Sequence, residues 1–214
     1  MNQKIAQNLK KVKSQINKKK EPNQDVRLVA VTKTRAPEQI SAAIEAGILS
    51  IGENRVQEAE LKFPNIAQIN KVEKRLIGQL QSNKIKKAIK LFDTIDSVDS
   101  TKLAAKISKA AATIKKTQRV LVQINTSKEK TKGGFKNSDI EGIMSCFEHS
   151  NIKIEGLMTI GPTKPEHTHR ERAFKSLKEL FTKINTKLPL EKQMTEISMG
   201  MSGDFELGIK SGST

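Results

Sequence analysis

Three short stretches hold residues able to do chemistry: Lys33 in "LVAVTKTRAPEQI", Asn54 in "IGENRVQEAE", and Met201 and Ser202 in "SMGMSGDFELG". A lysine amine can condense with an aldehyde, and partial burial at a strand end would favour the uncharged amine that does so. Ser202 has the character of a helix N-cap, so the N–H groups of the next turn, freed by Gly203, could receive a phosphate. Asp204 and Glu206 stand in that same turn and oppose an anion unless they point outward. Asn54, after Gly52 and Glu53, could hydrogen-bond a ligand at the same rim or cap the helix that follows. Taken singly, each has an ordinary alternative: a surface lysine, a plain helix start, a cap.

Other reactive residue types carry less. Cys146 is the only cysteine, which excludes an intramolecular disulfide and a cysteine-cluster metal site. It lies in "GIMSCFEHS", among Ile143, Met144 and Phe147, and reads as a buried structural thiol. The pair His167 and His169 in "KPEHTHRER" has no further histidine nearby, which makes a poor metal site. No G-x-G-x-x-G or Walker fingerprint occurs.

These residues need elements to hold them. The apolar run Leu28, Val29, Ala30, Val31 lacks alternation and reads as a parallel strand covered on both faces, with Lys33 at its carboxyl end. Ala36-Pro37-Glu38 then starts a helix, with proline where the first turn tolerates a missing N–H. Further strands are expected at about 50–53, 75–78, 93–96, 119–125, 152–158 and 195–198, separated by helical stretches such as "KLAAKISKAAATI" and "HTHRERAFKSLKELFTKI". Strand alternating with helix throughout means a parallel sheet, open or closed into a barrel, and ligands bind at the carboxyl edge of such sheets. An amphipathic first helix, residues 3 to 19, places Ile5, Leu9, Val12 and Ile16 on one stripe. Residues 126–137, "TSKEKTKGGFKN", read as an exposed, mobile loop on the ligand side.

The chain has 214 residues, 36% hydrophobic and 29% charged, with no composition break, so one domain over residues 1–214 is expected. No run approaches the length of a membrane span, and the N-terminus lacks a secretory signal, which points to a cytoplasmic protein. The net charge of +16 raises nucleic acid as a partner, but without Trp or Tyr the chain has few stacking platforms. In "SNKIKKAIK", Ile85, Ala88 and Ile89 can face inward while Lys84, Lys86, Lys87 and Lys90 face water. The basic surface therefore reads as solvated.

Taken in order, "LVAVTKTRAPEQI", "IGENRVQEAE", "LIGQLQSNK", "VLVQINTSKEKTKGGF", "IEGLMTIGP" and "SMGMSGDFELGIKSGST" resemble the pyridoxal phosphate homeostasis proteins, also called the YggS or proline synthetase co-transcribed family. The resemblance implies an α/β fold, an alanine-racemase-like (β/α)8 TIM-type barrel, in which Lys33 holds pyridoxal 5'-phosphate as a Schiff base. It also implies that Ser202 and main-chain neighbours such as Met201 hold the phosphate, with Asn54 beside the cofactor. The function implied is to carry or buffer this form of vitamin B6 and support amino- and keto-acid homeostasis, without established catalysis. The implied protein is a monomer with cofactor-dependent enzymes as clients and no specific nucleic acid or membrane partner. A fold-related racemase or decarboxylase is the nearest alternative, but a racemase of this barrel type uses a catalytic tyrosine and a second domain, and this chain has no tyrosine. Two features depart from the family pattern. Lys74 and Arg75 stand where a histidine usually precedes "IGxLQ", and the closing strand with its R-x-G-T-x-x-F-G pattern is not present. A barrel short of its final strand, with two unpaired edges, is therefore expected.

Overall fold

The computed structural model describes residues 2–129, 131–162 and 167–214, His167 by its backbone alone. Seven parallel strands form one sheet in chain order: β1 (Val29–Val31), β2 (Ser50–Glu53), β3 (Glu73–Leu76), β4 (Thr94–Val98), β5 (Gln118–Gln123), β6 (Ile152–Met158) and β7 (Glu196–Ser198). The helices are α1 (Asn2–Lys19), α2 (Pro37–Glu45), α3 (Val56–Lys62), α4 (Ile85–Leu91), α5 (Thr101–Ala112), α6 (Ile140–Ser145), α7 (His167–Asn185) and α8 (Phe205–Lys210). All seven expected strands and the repeating strand–helix order are present.

The outer face of the sheet and the helices enclose the apolar core. Ile51, Leu76, Ile95, Val120 and Leu157 point outward from the strands and meet Ile40, Ile89, Ile107, Ile143 and Phe174 from the helices. Each helix supplies a stripe at three- and four-residue spacing; in α4, Ile85, Ala88 and Ile89 are buried while Lys86, Lys87 and Lys90 are exposed. Lys84 is only half-buried. The stripe of α1 docks less fully than its sequence suggests: Ile16 is buried, whereas Ile5, Leu9 and Val12 stay half-exposed.

The inner face of the sheet is polar at its amino end. The Arg75 guanidinium bonds both Asp96 oxygens through Nε at 3.0 and 3.1 Å, Glu73 through Nη1 at 3.1 Å and Glu196 through Nη2 at 2.8 Å. Arg119 joins Glu73 at 2.6 Å to Glu155 at 2.7 Å. Burial would discharge these groups, yet each is paired. Arg75 stays charged because Asp96 and Glu196 overcome its desolvation. Desolvation raises Glu73, but Arg75, Thr94 and Arg119 outweigh it and hold the carboxyl below its usual value. Asp96 differs: complete burial outweighs the Arg75 pairing and pushes it up to about 6.

The sheet curls but does not close. Among the described residues β1 pairs only with β2, and β7 with β6 and with the terminal residue: the Thr214 N–H donates to the Ile197 oxygen at 3.0 Å. The run around β1 was expected to be covered on both faces; instead Val29 and Ala30 are half-buried and Val31 is 50% exposed, because no strand lies beyond them. No helix among the described residues is long and apolar enough to cross a membrane.

Candidate functional site

Between β1 and β7 a groove of about 1480 Å³ runs from α1 to the carboxyl rim of the sheet. It exceeds the usual size of a small-molecule pocket because it follows the whole height of the opening. Lys33, Thr34 and Arg35 form one wall of its mouth, and Gly200, Met201 and Ser202 the other; Lys178 and Lys210 add positive charge along it.

Lys33 is placed by its neighbours. The Thr32 N–H donates to the Gly52 oxygen at 2.9 Å, extending the β1–β2 ladder by one residue. Thr34 then turns back with φ of 60°, and the Arg35 N–H closes the turn on the Thr32 oxygen at 3.1 Å. Helix α2 follows with Pro37 at its start, while the Gln39 side chain accepts from the Ala36 N–H at 3.2 Å. Lys33 is exposed rather than partly buried, and it is among the residues that line the groove.

Ser202 belongs to a turn, not to a helix cap. Helix α8 starts at Phe205 with Asp204 at the N-cap position. The Asp204 carboxylate bends back to accept the Met201 N–H at 2.6 Å and approaches the Arg170 Nε at 3.7 Å, which takes its charge away from the groove. Glu206 is likewise paired, with Lys19 at 3.0 Å. The feared repulsion of an anion is thereby relieved on both counts. Gly200, at φ of 92°, lets the chain pass so close to Phe205 that a Cβ there would lie 2.9 Å from its Cα. The N–H groups of Ser202 and Gly203 meet no acceptor among the described residues. The Met201 N–H is already used by Asp204, so only its side chain, 55% exposed, reaches the groove.

Asn54 is not one of the groove-lining residues. It sits at the end of β2, one strand along from Lys33, half-buried, with Gly78 packed on its backbone so closely that a Cβ would fall 2.2 Å from its oxygen. The N-cap of α3 is Arg55, so Asn54 is not the cap either.

Sequence reasoning missed a cluster behind Lys33. The Lys62 ammonium donates to the Thr32 oxygen at 2.7 Å and to Glu53 Oε1 at 2.8 Å, and pairs with Glu58 Oε1 at 2.7 Å. The Thr32 hydroxyl donates to Glu53 Oε1 at 2.6 Å, and the Thr34 N–H to Glu58 Oε1 at 2.6 Å. Desolvation opposes the Lys62 charge, but the hydrogen bonds to Glu53 and Glu58 win and hold it above the usual lysine value. Glu58 is held below the usual carboxyl value by its hydrogen bonds from Lys62 and then from Thr34. The only sequence signal was the i,i+4 spacing of Glu58 and Lys62, which reads as an ordinary surface pair.

Cys146 and His169 lie away from the groove lining. Cys146 is buried, and burial followed by the Asp139 charge pushes its thiol up to about 11. The His167 side chain lies outside the described residues, and no group of three or more metal-ligating side chains occurs among those described. The loop 126–137 is better anchored than its composition suggests: Phe135 is buried and bridges Ile124, while the Asn125 side chain donates to the Glu129 oxygen at 2.9 Å and the Lys132 oxygen at 3.1 Å. Lys130 lies outside the described residues.

A curled parallel sheet with an aldehyde-competent lysine after its first strand and an anion-competent turn after its last defines the class of alanine-racemase-type barrels. The family model for the alanine racemase N-terminal domain matches residues 2–213, and the chain belongs to that family, in its pyridoxal phosphate homeostasis branch. It is 40% identical over 190 residues to the pyridoxal phosphate homeostasis protein of Synechocystis sp., covering 88% of this chain and 86% of that one. The protein of the same name from Pasteurella multocida is 34% identical, with 99% and 91% covered. The structure of PipY from Synechococcus elongatus PCC7942 without PLP superimposes with a TM-score of 0.90, and with PLP bound 0.87, each at 31% identity and covering 98% of this chain and 95% of PipY.

Proposed function

We propose that residues 1–214 act as one cofactor-carrying unit that takes up pyridoxal 5'-phosphate reversibly and so supports vitamin B6 and amino- and keto-acid homeostasis. The observation that carries this reading is that Lys33 and Ser202, which follow the first and last strands, line one groove. The names of the Synechocystis and Pasteurella relatives and the PLP-bound PipY structure support it.

When bound, the cofactor supplies an aldehyde that condenses with a primary amine, with loss of water. Lys33 offers that amine from a strand end held by β2. The Ser202 hydroxyl and the N–H groups of Ser202 and Gly203 are donors for a phosphate, in a turn whose own carboxylate accepts the Met201 N–H and lies near Arg170. Lys178 and Lys210 favour an anion entering the groove. Met201 would meet the cofactor only through its exposed side chain, and Asn54 stands one strand from Lys33. The role is that of a cytoplasmic, monomeric carrier serving cofactor-dependent enzymes, without established catalysis; the sequence holds no tyrosine to serve as the base a racemase of this fold uses.

The test is to mix purified protein with pyridoxal 5'-phosphate and record the visible band of the linked cofactor. Lys33→Ala is expected to abolish it, and a band of equal strength in the variant would remove Lys33 from the role.

A further inference from the structure

The Lys33 side chain makes no hydrogen bond or ion pair among the described residues, but the residues on both sides of it are tied to one ammonium group. Lys62, at the end of α3, is 12% exposed and satisfies three acceptors at once: the Thr32 carbonyl, Glu53 and Glu58. The first bond fixes the residue before Lys33. The third fixes the residue after it, because the same Glu58 oxygen receives the Thr34 N–H at 2.6 Å. Thr34 is β-branched and has φ of 60°, a conformation such residues avoid unless a contact holds them there. Glu53, fully buried, supports the arrangement through the Thr32 hydroxyl, and among the described residues Lys62 is the one cation bonded to it.

Resting on the assignment of Lys33 above, we infer that Lys62 is a positioning residue for Lys33, acting through the backbone of Thr32 and Thr34. Lys62 does not line the groove, so it does not meet the ligand there. Without its ammonium, Glu53 and Glu58 repel each other, Thr34 is released from its left-handed turn, and the Lys33 side chain loses its fixed starting direction. Intramolecular reactions depend steeply on such placement.

Two variants separate this from a general loss of structure. Glu58→Ala cuts the tie to Thr34 while leaving Lys62 on Thr32 and Glu53; Glu58 is only partly buried, so the fold tolerates it. Lys62→Met combined with Glu53→Gln removes the ammonium without stranding a buried carboxylate. After mixing with pyridoxal 5'-phosphate, borohydride quenching at timed intervals reduces the carbon–nitrogen double bond to a stable single bond, and peptide mass spectrometry counts the label at Lys33. Both variants are expected to acquire label about tenfold more slowly than the unaltered protein, and Glu58→Gln, which keeps an acceptor for Thr34, to restore most of the rate. Binding of pyridoxine 5'-phosphate, which carries an alcohol in place of the aldehyde, is expected to be unchanged in all three. Labelling at the original rate, or a matching loss of pyridoxine 5'-phosphate binding, overturns the inference. Absence of label on Lys33 in the unaltered protein overturns the assignment of Lys33 itself.

Discussion

Asp96 and Arg75 show how a single pair sets the pH response of the interior. An acid whose folded pKa is about 6, against an ordinary value of 3.8, binds its proton more tightly in the folded state. Its contribution therefore falls as pH rises from about 4 to 6, by on the order of 2–3 kcal/mol. Glu73 and Glu58 act in the opposite sense, because their lowered values stabilise the fold above the ordinary carboxyl range and that stability is lost on acidification. Asp96→Asn is expected to destabilise the protein at every pH yet make its stability climb more steeply between pH 4 and 6. Urea unfolding at several pH values checks the slope; an unchanged slope would mean that Asp96 titrates normally. Cys146 adds no such response, buried and with its thiol pushed up to about 11.

At the scale of elements, packing across α3 and α4 illustrates the cost of a lost side chain. Phe92 is 1% exposed and meets Phe63 edge-on, ring centres 5.6 Å apart. Phe92→Ala is expected to cost about 3–5 kcal/mol, read from the shift in the urea midpoint. The same elements show which features could be read in advance. Outward-facing strand residues such as Ile95, Val120 and Leu157 are apolar because helices cover them, and such residues, set between helical stretches, marked the strands. The beginning of β3 was placed two residues late, since Glu73 and Lys74 do not look like strand residues until a charged barrel interior is known. The places of Lys33 and Ser202, each following a strand, were legible from the strand pattern, whereas their proposed roles came from the family resemblance. The Lys62 cluster was not, because its partners lie 9 and 30 residues away and its charges read as solvent-facing. The cap assigned to Ser202 failed for a local reason: Asp204 bends back to close the turn, so the helix starts later. The coverage expected for β1 failed for a distant one, since it depended on a neighbour on its far side.

For the molecule as a whole, the charge of +16 is carried mainly by lysines on exposed helix faces such as those of α4. Such a surface attracts polyanions without selecting among them. Retention on immobilised DNA is expected at low ionic strength and release below about 0.3 M salt; retention well above that range would point to a built nucleic-acid site. The groove between β1 and β7 is lined by Lys33, Lys178 and Lys210; if it holds the cofactor as proposed, inorganic phosphate is expected to compete for it more effectively than bulk salt does, read as loss of the visible band.

The order of strands in the sheet is also their order in the chain. A polypeptide leaving the ribosome can therefore lay down each β-strand against one already in place, and each helix can cover the ladder just formed, while ties such as Arg75 to Glu196 and Lys19 to Glu206 wait for the last elements. Assembly runs in the direction of translation, and the strand end that carries Lys33 is among the first parts of the sheet to be fixed.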